Sequence, residues 1–434
     1  MSSRGFGARA AFGVRGLRLY QDDIPATMPD GQGQTGSFSL LSAQSIEVLR
    51  GPFSALYGNA SGGVISIFTE EGVEPSTWTA TAGAGSYGSQ TAGLKVNGAS
   101  GSFGHVLALS RFQTDGYRRH SAAVRELANV KLSFSPWSDT RLTLSGSHQN
   151  QPESEDPLGL TRSQWERDPR QVDPAALQFA TRKTIRQSQG GASLERRLSS
   201  QLSLKLLAYG GVRAVRQYLG FSGAAASSSG GVTDLERNYE GAGTRLTWSA
   251  PVARGSLSVN AGLDFDQQRE RRRGFVNLNG ALGGLRRDED DRVANTDGYA
   301  QAEWNIASMV SLMAGARVSS VAFRSDDHYV TTLSPDTSGR RDFHHTSPVA
   351  GALWHLSEQL HLYASYGEGF ETPTFAEFAY RPGGPGLNLA LNAARSRASE
   401  VGLKALIASR HRVNVALFAT NTEDEIVVSS ASGG

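Results

Sequence analysis

Cysteine is absent from the 434 residues, which removes disulfides, thiolate metal sites and cysteine nucleophiles from consideration. No run of about 18 apolar residues occurs, so no segment has the length of a transmembrane helix. That absence leaves a barrel wall open, because each strand needs only about ten residues of alternating polarity. Neither sign of charge predominates. The 43 Lys and Arg against 41 Asp and Glu leave a net charge of +2, too weak a field to point to nucleic acid. Apolar residues are scarce at 38%, but the 50 glycines bring the total back to the ordinary range of about 45–50%, so disorder is not implied. The N-terminus, MSSRGFGARAAFGVRGLRLY, has no apolar signal core. GxSxG, Walker A and HExxH strings are all missing, and with them the common signals for a serine nucleophile, a phosphate loop and a zinc protease.

What is present is period two. In SLSVNAGLDFDQQ, Leu257, Val259, Ala261, Leu263 and Phe265 fall on one face, and Ser258, Asn260, Gly262, Asp264 and Asp266 on the other. In YAQAEWNI, Ala300, Ala302, Trp304 and Ile306 alternate with Gln301, Glu303 and Asn305. Such alternation is the mark of a sheet with two unlike faces. Short connections near 135–139, 250–255, 307–309 and 357–359 alternate with long polar ones near 151–182, 217–235, 270–293, 325–345 and 371–396. Short turns at one end and long loops at the other predict a transmembrane antiparallel β-barrel. The polar face needs water or polar partners, which a water-filled or plugged lumen supplies. About fifteen strands are expected, the first from Trp78 to Ser86 and the last from His411 to Glu423. Bacterial barrels close with an even number of strands, and an open edge in hydrocarbon costs several kcal/mol per unpaired group. The odd count therefore predicts further wall beyond Gly434 and marks the chain as a partial one.

Ahead of the strands lies IEVLRGPFSALYGNASGGVISIFTEEG, residues 46–72. Its elements, Glu47-Val48, Arg50-Gly51-Pro52, Tyr57-Gly58, Gly62-Gly63-Val64-Ile65 and Ile67-Phe68-Thr69, resemble in order the plug signature of TonB-dependent outer-membrane receptors. SRGFGAR with Arg4 and Gly5, GLRLYQDDIP, YASYGEGFETPTFAEF (363–378) and LNAARSRASEVGLKA (391–405) extend the resemblance over about the whole chain. Two departures stand out: Ile24 follows Asp23 where the family has Gly, and Ala393-Ala394 replace its Pro-Glu.

The resemblance implies an all-β protein with an N-terminal α+β plug domain at 1–74 and the N-terminal part of a barrel at 75–434, with about 15 of the family's 22 strands. The family's signal peptide, TonB-binding box and first plug segment are expected upstream of Met1, and about seven strands downstream. The implied activity is energy-coupled import of a scarce nutrient, a ferric siderophore or other iron complex foremost. Implied partners are TonB, the chelate, outer-membrane lipid and lipopolysaccharide. The resemblance also implies a monomer, no cofactor and no catalytic residue. Alternatives are a passive porin-like or surface-binding barrel, against which the plug segment argues, and a fragment without activity.

Gly51, Gly58, Gly62 and Gly63 are expected in tight turns and close backbone approaches, Pro52 stiffens its turn, and Ile46, Val48, Val64, Ile65, Ile67 and Phe68 form the apolar centre of the plug. A buried Arg needs a carboxylate. By resemblance, Arg4 and Arg50 latch the plug to Glu400 or Glu377 on the barrel. Ligand contacts are expected from the plug apex QDDIPATMPDGQGQTG (21–36), with Asp22 and Asp23, and from Arg162, Trp165 and Arg167 in the loop 155–179. The glycine patterns at 31–36, 83–88 and 5–10 sit in no strand–helix context, so dinucleotide binding is set aside. His344 and His345, with Asp342 and His328, read as solvated loop histidines rather than metal ligands. RERRR (269–273) and DEDD (288–291) read as ends of one charged loop that pairs with itself or meets an anion such as a lipid phosphate. Trp78, Trp137, Trp248, Trp304 and Trp354 read as interface residues.

Overall fold

The computed structural model describes residues 3, 6–7, 13–50, 57–226, 228–307, 309–379, 386–408 and 410–427. Arg4, Gly5, Gly51 and Pro52 lie outside them.

Two sheets make up the fold. The small one contains β1 (Leu17–Gln21), β2 (Ile24–Pro25), β3 (Ala43–Arg50) and β4 (Gly63–Thr69) in the order β2-β1-β4-β3, with β1 and β4 parallel. The β1–β2 hairpin turns through Asp22 and Asp23, both at positive φ (49° and 68°), the conformation of a type I′ turn and one that Asp tolerates better than most residues. Val14, Leu17, Leu19 and Ala26 form the core of this sheet, with Phe38 and Ile65 packed on it.

The large sheet is an antiparallel meander of fifteen strands, each hydrogen-bonded to the next. In order they are β5 (Thr77–Ala84), β6 (Gln90–Ser100), β7 (Phe103–Thr114), β8 (Ala123–Trp137), β9 (Thr140–Gln151), β10 (Arg182–Arg197), β11 (Leu202–Tyr218) and β12 (Val232–Val252). β13 (Gly255–Leu278), β14 (Ala281–Ile306), β15 (Val310–Asp327), β16 (Gly339–Ser357), β17 (Leu360–Glu371), β18 (Ala394–Ile407) and β19 (His411–Glu423) follow. The number of strands and the last one agree with the sequence pattern. β5 and β19 are the two edges of the sheet. Among the described residues, α-helix is confined to connections of the wall: α1 (Arg162–Arg167), α2 (Pro174–Gln178) and α3 (Phe375–Phe378).

The alternation sorts the wall into two faces. Leu263, Phe265 and Val318 are exposed on the outside, while Asp266, Gln268 and Glu270 of the same strands' inner face are buried. All five tryptophans named above are exposed and lie at the short-turn end of their strands, forming one belt.

Three expectations are corrected. First, 270–293 is no loop. β13 and β14 continue as a hairpin to Leu278 and Ala281, pairing Glu270 with Asp291, Arg271 with Asp290, Arg272 with Glu289 and Arg273 with Asp288. In the last three pairs opposite charges set across from one another favour strand pairing, while Glu270, opposite an acid, takes Arg237 of β12 as its partner, so the charged runs extend the ladder instead of ending it. Second, Ile46 and Val48 are exposed by about half, because β3 is the edge of the plug sheet and pairs only with β4. Val64 and Ile67 are buried as expected. Third, the interior is not polar throughout. Phe375 and Phe378 of α3 fold inward against Phe323, and with Val293, Val321, Phe343, Phe370 and Leu387 they make an apolar core inside the wall. Phe378→Ala should lower stability by about 3–5 kcal/mol, read from detergent-solubilised unfolding, since it empties a fully buried site.

Candidate functional site

The small sheet is held to the inner wall by many polar contacts, those of Arg15 and Arg18 among them. In GVRGLRLY, Val14, Leu17 and Leu19 are buried in the plug core, and Arg15 and Arg18 point from the same stretch to the wall. Arg18 donates to Asp266 on β13 at 3.2 Å with both side chains under a tenth exposed. Arg15 Nε donates to Glu377 at 3.0 Å, and its other two nitrogens donate to the carbonyls of Gly31 and Thr372 at 3.1 and 2.7 Å. Asn59 and Thr372 exchange two hydrogen bonds of 2.7 and 2.9 Å, and the Ser61 backbone N–H donates to Glu371. Residues 371–379 are therefore fixed to the plug on one side and to the wall's apolar core on the other.

Expected latch residues are placed as follows. Glu377 joins plug to wall through Arg15. Arg50 is exposed at the end of β3 and makes no ion pair among the described residues. Glu400 is buried and accepts from the Tyr363 hydroxyl at 2.5 Å. Arg4 lies outside the described residues. Within the plug motif, Gly58 and Gly63 have φ of +91° and +147°, and a Cβ on Gly58 would come within 3.2 Å of the Arg317 guanidinium. A Cβ on Gly62 would sit 2.4 Å from Phe6. Tyr57 packs edge-on against Tyr20 at 6.0 Å. Glu47 is exposed on β3.

Asp22 and Asp23 are not at the plug apex. Asp22 is buried and accepts from the Thr69 amide and hydroxyl at 2.8 and 2.6 Å, with Lys131 at 3.5 Å. Asp23 pairs with Lys205 at 2.6 Å. Both are thus occupied in holding the β1–β2 turn to β4 and to the wall. Farther along the same segment, Gln32 accepts from Arg237 at 2.9 Å, Gln34 accepts from Arg213 at 3.0 Å, and the Pro29 carbonyl accepts from Asn295 at 2.7 Å. This stretch forms the apex toward the long loops. Asp30 within it is fully buried; burial holds its carboxyl above the usual carboxylate range despite Arg237 and Arg15 nearby.

The wall facing that apex carries a continuous inward row. Gln187, Arg213, Arg237, Glu270, Asp291 and Ser325 are successive cross-strand partners from β10 to β15. One end is basic and the other acidic. Arg237 is paired with Glu270, and Arg287, farther along β14, with Glu289. Arg213 donates only to Gln187 and Gln34, and neither it nor the inward Lys183 of β10 has a carboxylate within ion-pair distance among the described residues. Arg213 Nε is buried with no acceptor. A partly desolvated guanidinium with a spare donor is equipped to bind an anion.

Arg162, Trp165 and Arg167 lie elsewhere, exposed on α1 in the connection 152–181. Arg162 reaches only Glu166. His344 and His345, adjacent in β16, point apart; His345 stacks on Phe370 at 5.0 Å, and His328 meets Asp290 at 3.2 Å. No cluster of three or more His, Asp or Glu with metal-binding geometry occurs among the described residues.

Sequence reasoning missed Arg15, Arg18, Arg213 and Arg237. The available signal for the first two was charge inside the otherwise apolar stretch GVRGLRLY, which demands a buried partner.

Comparison with known proteins agrees with this plug-in-wall arrangement. The family described as TonB dependent receptor-like, beta-barrel matches residues 117–434, and the TonB-dependent receptor plug domain matches residues 1–64. Among solved structures, the chain is similar to the unliganded ferric citrate transporter FecA (TM-score 0.77, 18% identity, covering 97% of this chain and 65% of that one). It is likewise similar to the ferric yersiniabactin uptake receptor FyuA of Yersinia pestis (TM-score 0.77, 16% identity, 97% and 66%). A third is the closed form of the ferric-catecholate import receptor Fiu of E. coli K12 (TM-score 0.75, 17% identity, 100% and 70%). The chain spans about two thirds of the length of these structures. With both domain families matched in order and the barrel match covering most of the residues, the protein belongs to the TonB-dependent receptor family, whose members are outer-membrane proteins and not enzymes.

Proposed function

We propose that the protein takes up an anionic metal chelate, an iron complex of siderophore type foremost, by TonB-dependent displacement of its plug. The observation that carries the chelate class is the basic end of the inner row. Lys183 and Arg213 face the interior on the long-loop side of the plug apex, and no carboxylate neutralises them among the described residues. An anion seated there touches the wall through Arg213 and the plug through Gln34, which shares the same guanidinium. Occupancy is thereby linked to the plug. The three structural relatives named above are a ferric citrate transporter, a ferric yersiniabactin uptake receptor and a ferric-catecholate import receptor, which supports the same class.

Equilibrium binding tests this reading, with ferric citrate and a ferric catecholate as probes. Lys183→Gln with Arg213→Gln should weaken the binding of whichever probe is taken by about 100-fold or more, since each charge-assisted bond contributes about 1.5–3 kcal/mol and two are lost. The salt dependence of binding should flatten in the variant. Unchanged affinity would remove the basic end of the row from the binding site.

A further inference from the structure

Two histidines meet across the short turn that joins β16 to β17, and neither the plug contacts nor the chelate site uses them. His355 and His361 are direct cross-strand partners. Their Nδ1 atoms are 3.0 Å apart, and the two rings stand at 81° to each other. Both residues are half-buried. His355 alternates in step with the buried Ser347 and Val349 of the same strand, so the pair faces the interior. It lies at the short-turn end of the wall, away from Lys183 and Arg213.

The tautomer of His355 is set by its neighbours. Asn305 Nδ2 donates to Glu303 at 3.3 Å, which leaves Asn305 Oδ1 to accept the Ser311 hydroxyl at 2.5 Å. The single hydroxyl proton of Ser311 is thereby engaged. The contact between Ser311 Oγ and His355 Nε2, at 3.4 Å, is therefore made by an Nε2–H. A neutral imidazole protonated on Nε2 keeps its lone pair on Nδ1, the atom that meets His361. As a hydrogen-bonded pair, His361 donates its Nδ1–H to that lone pair. Moving this one proton to Nε2 of His361 leaves two lone pairs 3.0 Å apart.

That spacing is a chelate bite. With metal–nitrogen bonds of about 2.0–2.1 Å, it subtends about 95° at an ion held between the two nitrogens. A tetrahedral zinc site, at about 109°, needs nitrogens about 3.3 Å apart, whereas tetragonal copper(II) takes cis nitrogens near a right angle. Copper(II) is also the tightest-binding of the divalent first-row ions at a nitrogen site. A ligating histidine holds its ring by donating its other N–H, and His355 already does so to Ser311. Lys404, across from His361 on β18, lies with Nζ 5.3 Å from the centroid of the Tyr363 ring. No third His, Cys, Asp or Glu joins the pair in metal-binding geometry among the described residues, so water completes the coordination.

The geometry points to a copper(II) site made by Nδ1 of His355 and Nδ1 of His361, inside the wall at its short-turn end. The ion bridges β16 and β17. The site shares no residue with the basic end of the inner row, so it rests on neither the chelate reading nor the transport reading.

Electron paramagnetic resonance tests it, with copper(II) chloride titrated into the detergent-solubilised protein, purified without a histidine tag, in a non-coordinating buffer. The tightest-bound ion should be one per chain, and spin-echo modulation should count two imidazoles on it. His361→Gln should reduce the count to one and weaken binding at least tenfold. Ser311→Ala removes the acceptor of the His355 Nε2–H, and should weaken binding about tenfold with the count still two. His344→Gln, on the other face of β16, should change neither quantity. A count of one on the wild-type ion overturns the proposal and leaves a hydrogen-bonded histidine pair only. Equal binding by wild type and His361→Gln also overturns it, by placing the copper elsewhere among the nine histidines. The wild-type count involves no substitution, so it decides the question even where a variant does not fold. Uptake is not read, so this test and the transport test fail separately.

Discussion

Asp266→Ala should loosen the plug by about 3–5 kcal/mol, the cost of leaving a buried guanidinium without its carboxylate. Arg18 and Asp266 are both under a tenth exposed, so solvent cannot stand in for the missing partner. Asp266 also accepts from Asn295, which in turn donates to the plug carbonyl of Pro29, so the loss reaches the apex. Hydrogen exchange at the amides of Leu17 and Leu19 is the readout. Both residues belong to the plug core, and their protection reports the plug apart from the wall. Replacing both partners, Arg18→Met with Asp266→Leu, should recover most of the protection, because an apolar pair of similar volume avoids the desolvation cost. If the single variant exchanges like wild type, the pair does not hold the plug.

The second large effect concerns movement. Asn59 on the plug and Thr372 on the wall touch through two hydrogen bonds, and the chain contains no cysteine of its own. Asn59→Cys with Thr372→Cys therefore introduces the only two thiols in the protein, placed where two side chains already meet. Under oxidising conditions uptake should fall to background and return on reduction, while chelate binding persists in both states. A disulfide constrains two groups only where they would otherwise separate. Uptake through the oxidised protein would mean that the plug does not leave the wall at this contact.

Much of the wall could be read in the sequence, because alternation is a local property imposed by two unlike solvents on a strand. SLSVNAGLDFDQQ declares both of its faces within thirteen residues. The hairpin formed by β13 and β14 was misjudged for a related reason. RERRR and DEDD look solvated when each is taken alone, and only their register shows that Arg271 faces Asp290 and Arg272 faces Glu289. The plug's family motif was legible through Gly58 and Gly63, whose positive φ makes a side chain costly. Its contacts were not. Arg15 and Glu377 are 362 positions apart, and no periodicity or spacing connects them. For the same reason α3 read as part of a polar loop, although Phe375 and Phe378 are among the most buried side chains in the chain. The ligand end of the molecule depends on which lone donors face the lumen, and Arg213 could be recognised only after its neighbours proved to be glutamines rather than carboxylates.

Energy-coupled import through a movable plug is the central claim, and one measurement bears on it most directly. Uptake of a radiolabelled ferric chelate that the protein binds would be followed in cells that have no other receptor for it, before and after collapse of the inner-membrane proton gradient. The account predicts that binding at the surface is unchanged while accumulation stops. Accumulation that continues at the same rate without the gradient would contradict it and make the protein a passive pore.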